Sequence, residues 1–125
     1  MPRPSLEIYV RNLAEPDAVD WLRTVLTDVT SVRTEPLAVY DGTYNGTPVT
    51  VQIAEQVEGG AYTHLWFRSE ALPWDDVAAC ARAAYAATGC TVLCYPEGEE
   101  APWTMLRVDE AGDQRVDARE EGMHG

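Results

Sequence analysis

In SLEIYVRN, residues 5–12, Leu6, Ile8 and Val10 alternate with Glu7, Tyr9 and Arg11. A period of two predicts a half-buried strand whose aliphatic residues face a core. The period lengthens in EPDAVDWLRTVLTDV, residues 15–29, where Ala18, Leu22, Val25, Leu26 and Val29 recur at helical spacing. This predicts a helix that shows one apolar stripe to a sheet. Pro16, flanked by Glu15 and Asp17, suits its first turn, where a missing N–H costs nothing and acids meet the positive end of the helix dipole. EPLAVYDG (35–42) and PVTVQIAEQV (48–57) are β-rich segments separated by TYNGT. Asn45-Gly46 accepts the positive φ angles of a tight turn, so a hairpin is expected. AYTHLWFRS (61–69) is a further strand. LPWDDVAACARAAYAATG (72–89) is a second helix, with Asp75 and Asp76 in its first turn and Gly89 as its C-terminal cap. CTVLCY (90–95) and WTMLRVDE (103–110) are strands, RVDA (115–118) is a short edge strand, and 119–125 is a frayed tail.

The order strand, helix, strand, strand thus occurs twice, over about residues 5–56 and 60–118, with an offset of about 55 residues. Short connections and amphipathic helices predict a single α+β domain spanning 1–125. Its expected architecture is a two-layer sandwich of a mostly antiparallel sheet with both helices on one face, built from pseudo-duplicated βαββ halves.

Composition narrows the function. The net charge is −12, and the nine basic residues are all arginine, the bias of a GC-rich genome. Phosphate contacts need clustered Lys and Arg, so nucleic acid is not an expected partner. An anionic membrane surface is disfavoured for the same reason. No apolar run approaches the roughly 20 residues of a membrane span, and the first residues lack the pattern of a secretory signal, so a cytoplasmic setting is expected. From Glu97 onward nine acids face Arg107, Arg115 and Arg119, an acidic surface suited to a basic protein.

Candidate chemistry is sparse. Cys90 and Cys94 on one strand would lie ~13 Å apart, too far for a disulfide or a shared zinc ion. Cys80 falls on the apolar stripe of the second helix. Three buried, unliganded thiols are therefore expected. His64 and His124 are the two histidines, the serines stand in no nucleophile motif, and no phosphate-binding glycine loop occurs. The acids of PEGEE lack calcium-loop spacing. No catalytic residue, metal ligand or cofactor is assigned on these grounds.

The paired halves resemble the vicinal oxygen chelate superfamily, which includes the glyoxalases and bleomycin-resistance proteins. PWTMLRVDEAGDQRVDA is similar to that family's closing strand, turn and strand, and THLWF to the strand that opens its second half. The resemblance implies a site on a concave sheet, often in a dimer, with His64 at a metal-ligand position. Glu7 stands where the metalloenzymes place His or Gln, and Asp117 where they place Glu. It therefore implies a small-molecule binder or metalloenzyme as the alternative function.

One constellation comes from the residues themselves. Tyr62, His64, Trp66 and Arg68 share one face of their strand; Trp103, Met105 and Arg107 share one face of theirs, and Tyr9 and Arg11 belong to the same side. These residue types are enriched at protein interfaces. They are expected to line the sheet's open face, unless the tail or a second copy of the chain in a homodimer covers it. The leading expectation is a non-enzymatic protein-binding module of the antitoxin or immunity kind. In it Tyr9, Tyr62, His64, Trp66, Arg68, Trp103, Met105 and Arg107 contact a basic partner, and Glu99 and Glu100 steer it.

Overall fold

A computed structural model describes residues 5–57, 60–98 and 101–121. The first strand, β1 (Ser5–Arg11), alternates as its sequence requires: Leu6, Ile8 and Val10 are buried while Glu7 and Arg11 are exposed. α1 (Glu15–Val25) begins with Pro16 in its first turn, and the Glu55 carboxylate accepts a hydrogen bond from the Glu15 N–H. The chain then pairs as β2 (Thr27–Arg33), β3 (Ala38–Tyr44) and β4 (Thr47–Ala54) before β5 (Tyr62–Arg68). α2 (Val77–Thr88) follows, and β6 (Val92–Cys94), β7 (Thr104–Asp109) and β8 (Gly112–Asp117) complete the described elements. All pairings are antiparallel in one sheet of order β2-β3-β4-β5-β1-β6-β7-β8. The α+β sandwich expected from the sequence is present.

Several local expectations hold for the stated reasons. Asn45 and Gly46 take φ of 50° and 81° between the paired Tyr44 and Thr47, closing the hairpin. Gly89 caps α2 at φ 72°, where its N–H reaches the Tyr85 carbonyl. Asp76, assigned above to the first turn, is instead the N-cap, and its carboxylate accepts from the Ala79 N–H at 2.8 Å.

The first helix is shorter than its apolar spacing suggested. Leu26 leaves it with extended backbone, and Thr27–Arg33 forms the edge strand β2, so Val29 belongs to a strand. The β-branched residues Thr27, Val29, Thr30 and Val32 favour this once β3 is available to pair. β2 bulges between Thr27 and Thr30, where Asp28 has φ 55°. Gly42 lies beneath this crossing. A Cβ there would stand 3.2 Å from the Thr27 carbonyl and 3.3 Å from Val29 Cγ2.

With β2 present, both halves have the element order βαβββ, but their pairing is not two-fold. β5 adjoins β4, the last strand of the first half, whereas β1 adjoins β6, the first strand after the second helix. A two-fold relation would instead place β1 beside β8.

The main core lies between sheet and helices and contains Leu22, Leu26, Val51, Leu65 and Leu106 together. Trp21 of α1, Phe67 of β5 and Trp74 form an aromatic cluster there, with ring centroids 5.2–5.9 Å apart. Cys80 and Cys94 are buried in this core. Burial pushes the Cys94 thiol up to about 12 and the Cys80 thiol well above its ordinary range. Cys90, expected to be buried, is only half-buried, because it precedes the strand. Among the described residues no helix is long and apolar enough to cross a membrane.

Two outcomes follow from this packing. Leu65→Ala should lower unfolding free energy by ~2–5 kcal/mol, read by chemical denaturation, because it opens a cavity in a filled layer. With a thiol reagent such as Ellman's, Cys90 should react first in the native protein and Cys80 and Cys94 only on unfolding. Prompt reaction of all three would contradict the burial described here.

Candidate functional site

The strand pairings arrange the polar set on the face away from the helices. Glu7 lies opposite Trp66, Tyr9 opposite His64 and Arg11 opposite Tyr62 across β1 and β5. Gln52 flanks Trp66 from β4. On the other side of β1, Tyr9 faces Leu93, Leu93 faces Arg107, and Arg107 faces Gln114. The helix-free face therefore carries the expected residues in one continuous layer, although they differ in exposure.

Half of that layer is covered. Tyr62 and Met105 are buried, not open, in a second small core with Leu93 and Ala118. Ala118 is held there by its N–H, which donates to the Trp103 carbonyl at 2.7 Å. Arg107 fastens the same turn: its Nη1 donates to Glu121 at 3.1 Å and its Nη2 to Gln114, while Asp109 Oδ2 lies 3.2 Å from Nε as an ion pair without hydrogen-bond alignment. Arg107 is thus a clasp for the chain's own turn rather than an exposed contact. Residues 119–121, expected to begin a frayed tail, form this turn. Ala118 packs on the small core from this turn, a contact between distant segments that the strand pattern by itself could not reveal. Glu99, Glu100 and His124 lie outside the described residues.

The other half stays accessible. Tyr9 stacks on His64 with centroids 4.9 Å apart, and His64 donates from Nε2 to Glu7 Oε1 at 2.9 Å. The Arg68 guanidinium sits 4.6 Å from the centre of the half-buried Trp66 ring. Among the described residues the buried indole Nε1 of Trp66 has no hydrogen-bond partner. Trp103 is 46% exposed, and Arg119 lies 5.0 Å over its ring. Tyr95, 40% exposed, meets Tyr9 edge-on at 6.4 Å. Its place on this face was missed in the sequence; the signal was the strand phase of CTVLCY, which puts Tyr95 in step with Leu93.

The three positions singled out by the chelate resemblance do not converge. Glu7 and His64 are partners, but Asp117 lies on β8, three strands from β1 and thus about 14 Å away laterally. Asp117 binds Arg119 through two side-chain hydrogen bonds, which hold its carboxyl below the usual carboxylate range. Among the described residues no group of three or more His, Cys, Asp or Glu is placed to share a metal ion. No protein-family model, curated protein or solved structure matches the chain.

The covered half has a pH signature. Burial raises the Tyr62 phenol above its ordinary 10.0, with Glu121 adding to the effect. A folded-state value above the unfolded one means the contribution is complete below about pH 10 and is lost as the pH rises beyond it. Denaturation midpoints should therefore fall in alkaline solution, and Tyr62→Phe should flatten part of that fall. An unchanged pH profile in the variant would place Tyr62 elsewhere.

Proposed function

We infer that the protein is a non-enzymatic binding module that docks a basic protein on the helix-free face of its sheet, in the manner of an antitoxin or immunity protein. The observation that carries this reading is the placement of Trp66 and Trp103. Both stay accessible on one face and toward one end of the sheet, while Tyr62, Leu93 and Met105 on the same face are covered. Strand and residue spacings put them about 15 Å apart. A standard interface of about 800 Å² per partner is roughly 30 Å across, so one partner spans both.

The charge supports a basic partner. The chain carries −12 overall, and Glu7, Glu97, Glu120 and Glu121 belong to the described residues around this face. The indole N–H of Trp66, without a hydrogen-bond partner among the described residues, supports a partner too, since a carbonyl brought against it would remove a desolvation cost. A catalytic role finds less support: the cavities beside the face are shallow, and its one histidine is committed to Glu7.

Affinity capture from the native host with wild-type and variant baits tests this reading. The wild type should retain a basic protein that Trp66→Ala and Trp103→Ala each lose, because truncating an aromatic anchor costs ~2 kcal/mol or more. Both variants should keep the wild-type denaturation midpoint. Retention of a divalent metal through purification, lost in His64→Ala, would replace this reading with the chelate one.

A further inference from the structure

β1 and β6 are neighbours in the sheet, and at their meeting end the Arg11 N–H donates to Thr91 O at 2.9 Å. That pairing brings two connections together. Asn12, with φ 55°, turns the chain from β1 toward α1, and Gly89, with φ 72°, ends α2 just before β6. The start of α1 therefore lies beside the end of α2, on the helical side of the sheet.

A cavity of about 370 Å³ lies between them. α1 gives it one face, because Asp17, Asp20, Trp21 and Thr24 recur at helical spacing, and Thr88 and Cys90 close the other side. Leu13 and Trp21, both buried, make part of the lining apolar. The volume falls in the roughly 300–1,000 Å³ range of small-molecule pockets.

Its polar groups are not committed elsewhere. Among the described residues, the side chains of Asn12, Asp17 and Asp20 have no hydrogen-bond or ion-pair partner. Trp21 is 4% exposed and packs its ring on Phe67 and Trp74, and its indole N–H also lacks a partner among the described residues. The partnerless side-chain nitrogens sealed from solvent are, among the described residues, Trp66 Nε1 and Arg107 Nε. Trp21 Nε1 is not one of them. The small open part of this side chain thus includes its donor, and Trp21 borders the cavity.

The sign of the cavity follows from its lining. The charged residues there are the carboxylates Asp17 and Asp20, with no base among them. α2 ends at the cavity without a basic residue in its last turn, which leaves about half a negative charge. The positive end of α1 is already met by the Glu55 carboxylate, which accepts from the Glu15 N–H. A cation is therefore favoured, while the indole N–H of Trp21, a donor only, needs an acceptor.

We propose that this cavity between α1 and α2 binds a small organic amine with an apolar body and one oxygen acceptor. The ammonium sits at Asp17 and Asp20, the apolar body lies on Leu13 and Trp21, and the oxygen accepts from the Trp21 indole. The site lies across the sheet from the docking face and does not rest on the function proposed above.

The test titrates the full ¹⁵N-labelled chain with tyramine and, separately, with tyrosol, in which a hydroxyl replaces the ammonium. Tyramine should shift the Trp21 indole N–H resonance saturably and leave those of Trp66 and Trp103 in place. Tyrosol should bind at least about tenfold more weakly, and the double variant D17N/D20N should lose roughly tenfold for tyramine, since hydrogen bonds to charged groups are the ones removed. Asp17 also supports the first turn of α1, so Asp20→Asn serves as a second variant should the double one not give a folded spectrum, with a severalfold loss. Cys90 stands on the cavity wall, and its alkylation by iodoacetamide should slow as tyramine saturates. Equal affinity for the two probes would overturn the proposal. So would a Trp21 indole shift that never saturates, a Cys90 rate that tyramine leaves unchanged, or undiminished tyramine binding in the variants.

Discussion

The pairing of β1 between β5 and β6 is the constraint on which the two faces of this protein depend. β1 lies inside the sheet, so its alternation cannot slip by one residue without moving Leu6, Ile8 and Val10 out of the core and Glu7 and Arg11 into it. The full ladder with β5 then carries that phase outward. It sets Leu65 and Phe67 against the helices and His64 and Trp66 on the other side. Through Leu93 the same phase reaches Arg107 and Gln114.

The four tryptophans follow from this partition. Trp21 and Trp74 close over Phe67 and fill the helical layer, where edge-to-face and tilted contacts add to area burial. Trp66 and Trp103 are left on the face without helices. There the chain protects some residues and leaves others open. The turn carrying Ala118 covers Tyr62, Leu93 and Met105 and is held by Arg107, whose neighbours Glu121, Gln114 and Asp109 share its charge and donors. A half-buried guanidinium without such partners would be costly. The clasp and the covered patch are therefore one structure.

The early end of β6 has a different physical origin. A strand of three residues supports β1 on one side for part of its length, and the main-chain groups of Ser5 and Glu7 are left beside a cavity. Extended strands of equal length would have closed the sheet and removed the cavity. Proline and glycine in the segment after β6 thus shape the helix-free face as much as its aromatic residues do.

The amino-acid sequence determined the elements whose signals are local. Strict alternation in SLEIYVRN, the β-forming run AYTHLWFRS, Asn45-Gly46 in the hairpin and Gly89 after α2 act within a few residues, and each appears where expected. The core residues Leu22 and Leu26, on the apolar spacing of the first helical segment, were legible for the same reason. β2 was not, because Val25, Leu26 and Val29 also satisfy a helical period and only the neighbouring β3 favours the strand. The helix-free face was half legible: strand phase told which side chains share it, but not which of them stay in contact with solvent. Covering Tyr62 and Met105 needs Ala118, more than fifty residues from Tyr62 in the chain. Bringing Glu7 to His64, and keeping Asp117 three strands from the one and four from the other, is a matter of sheet order. Such decisions belong to the tertiary structure because contacts between distant segments have no periodicity to betray them; they arise only when strands choose their neighbours.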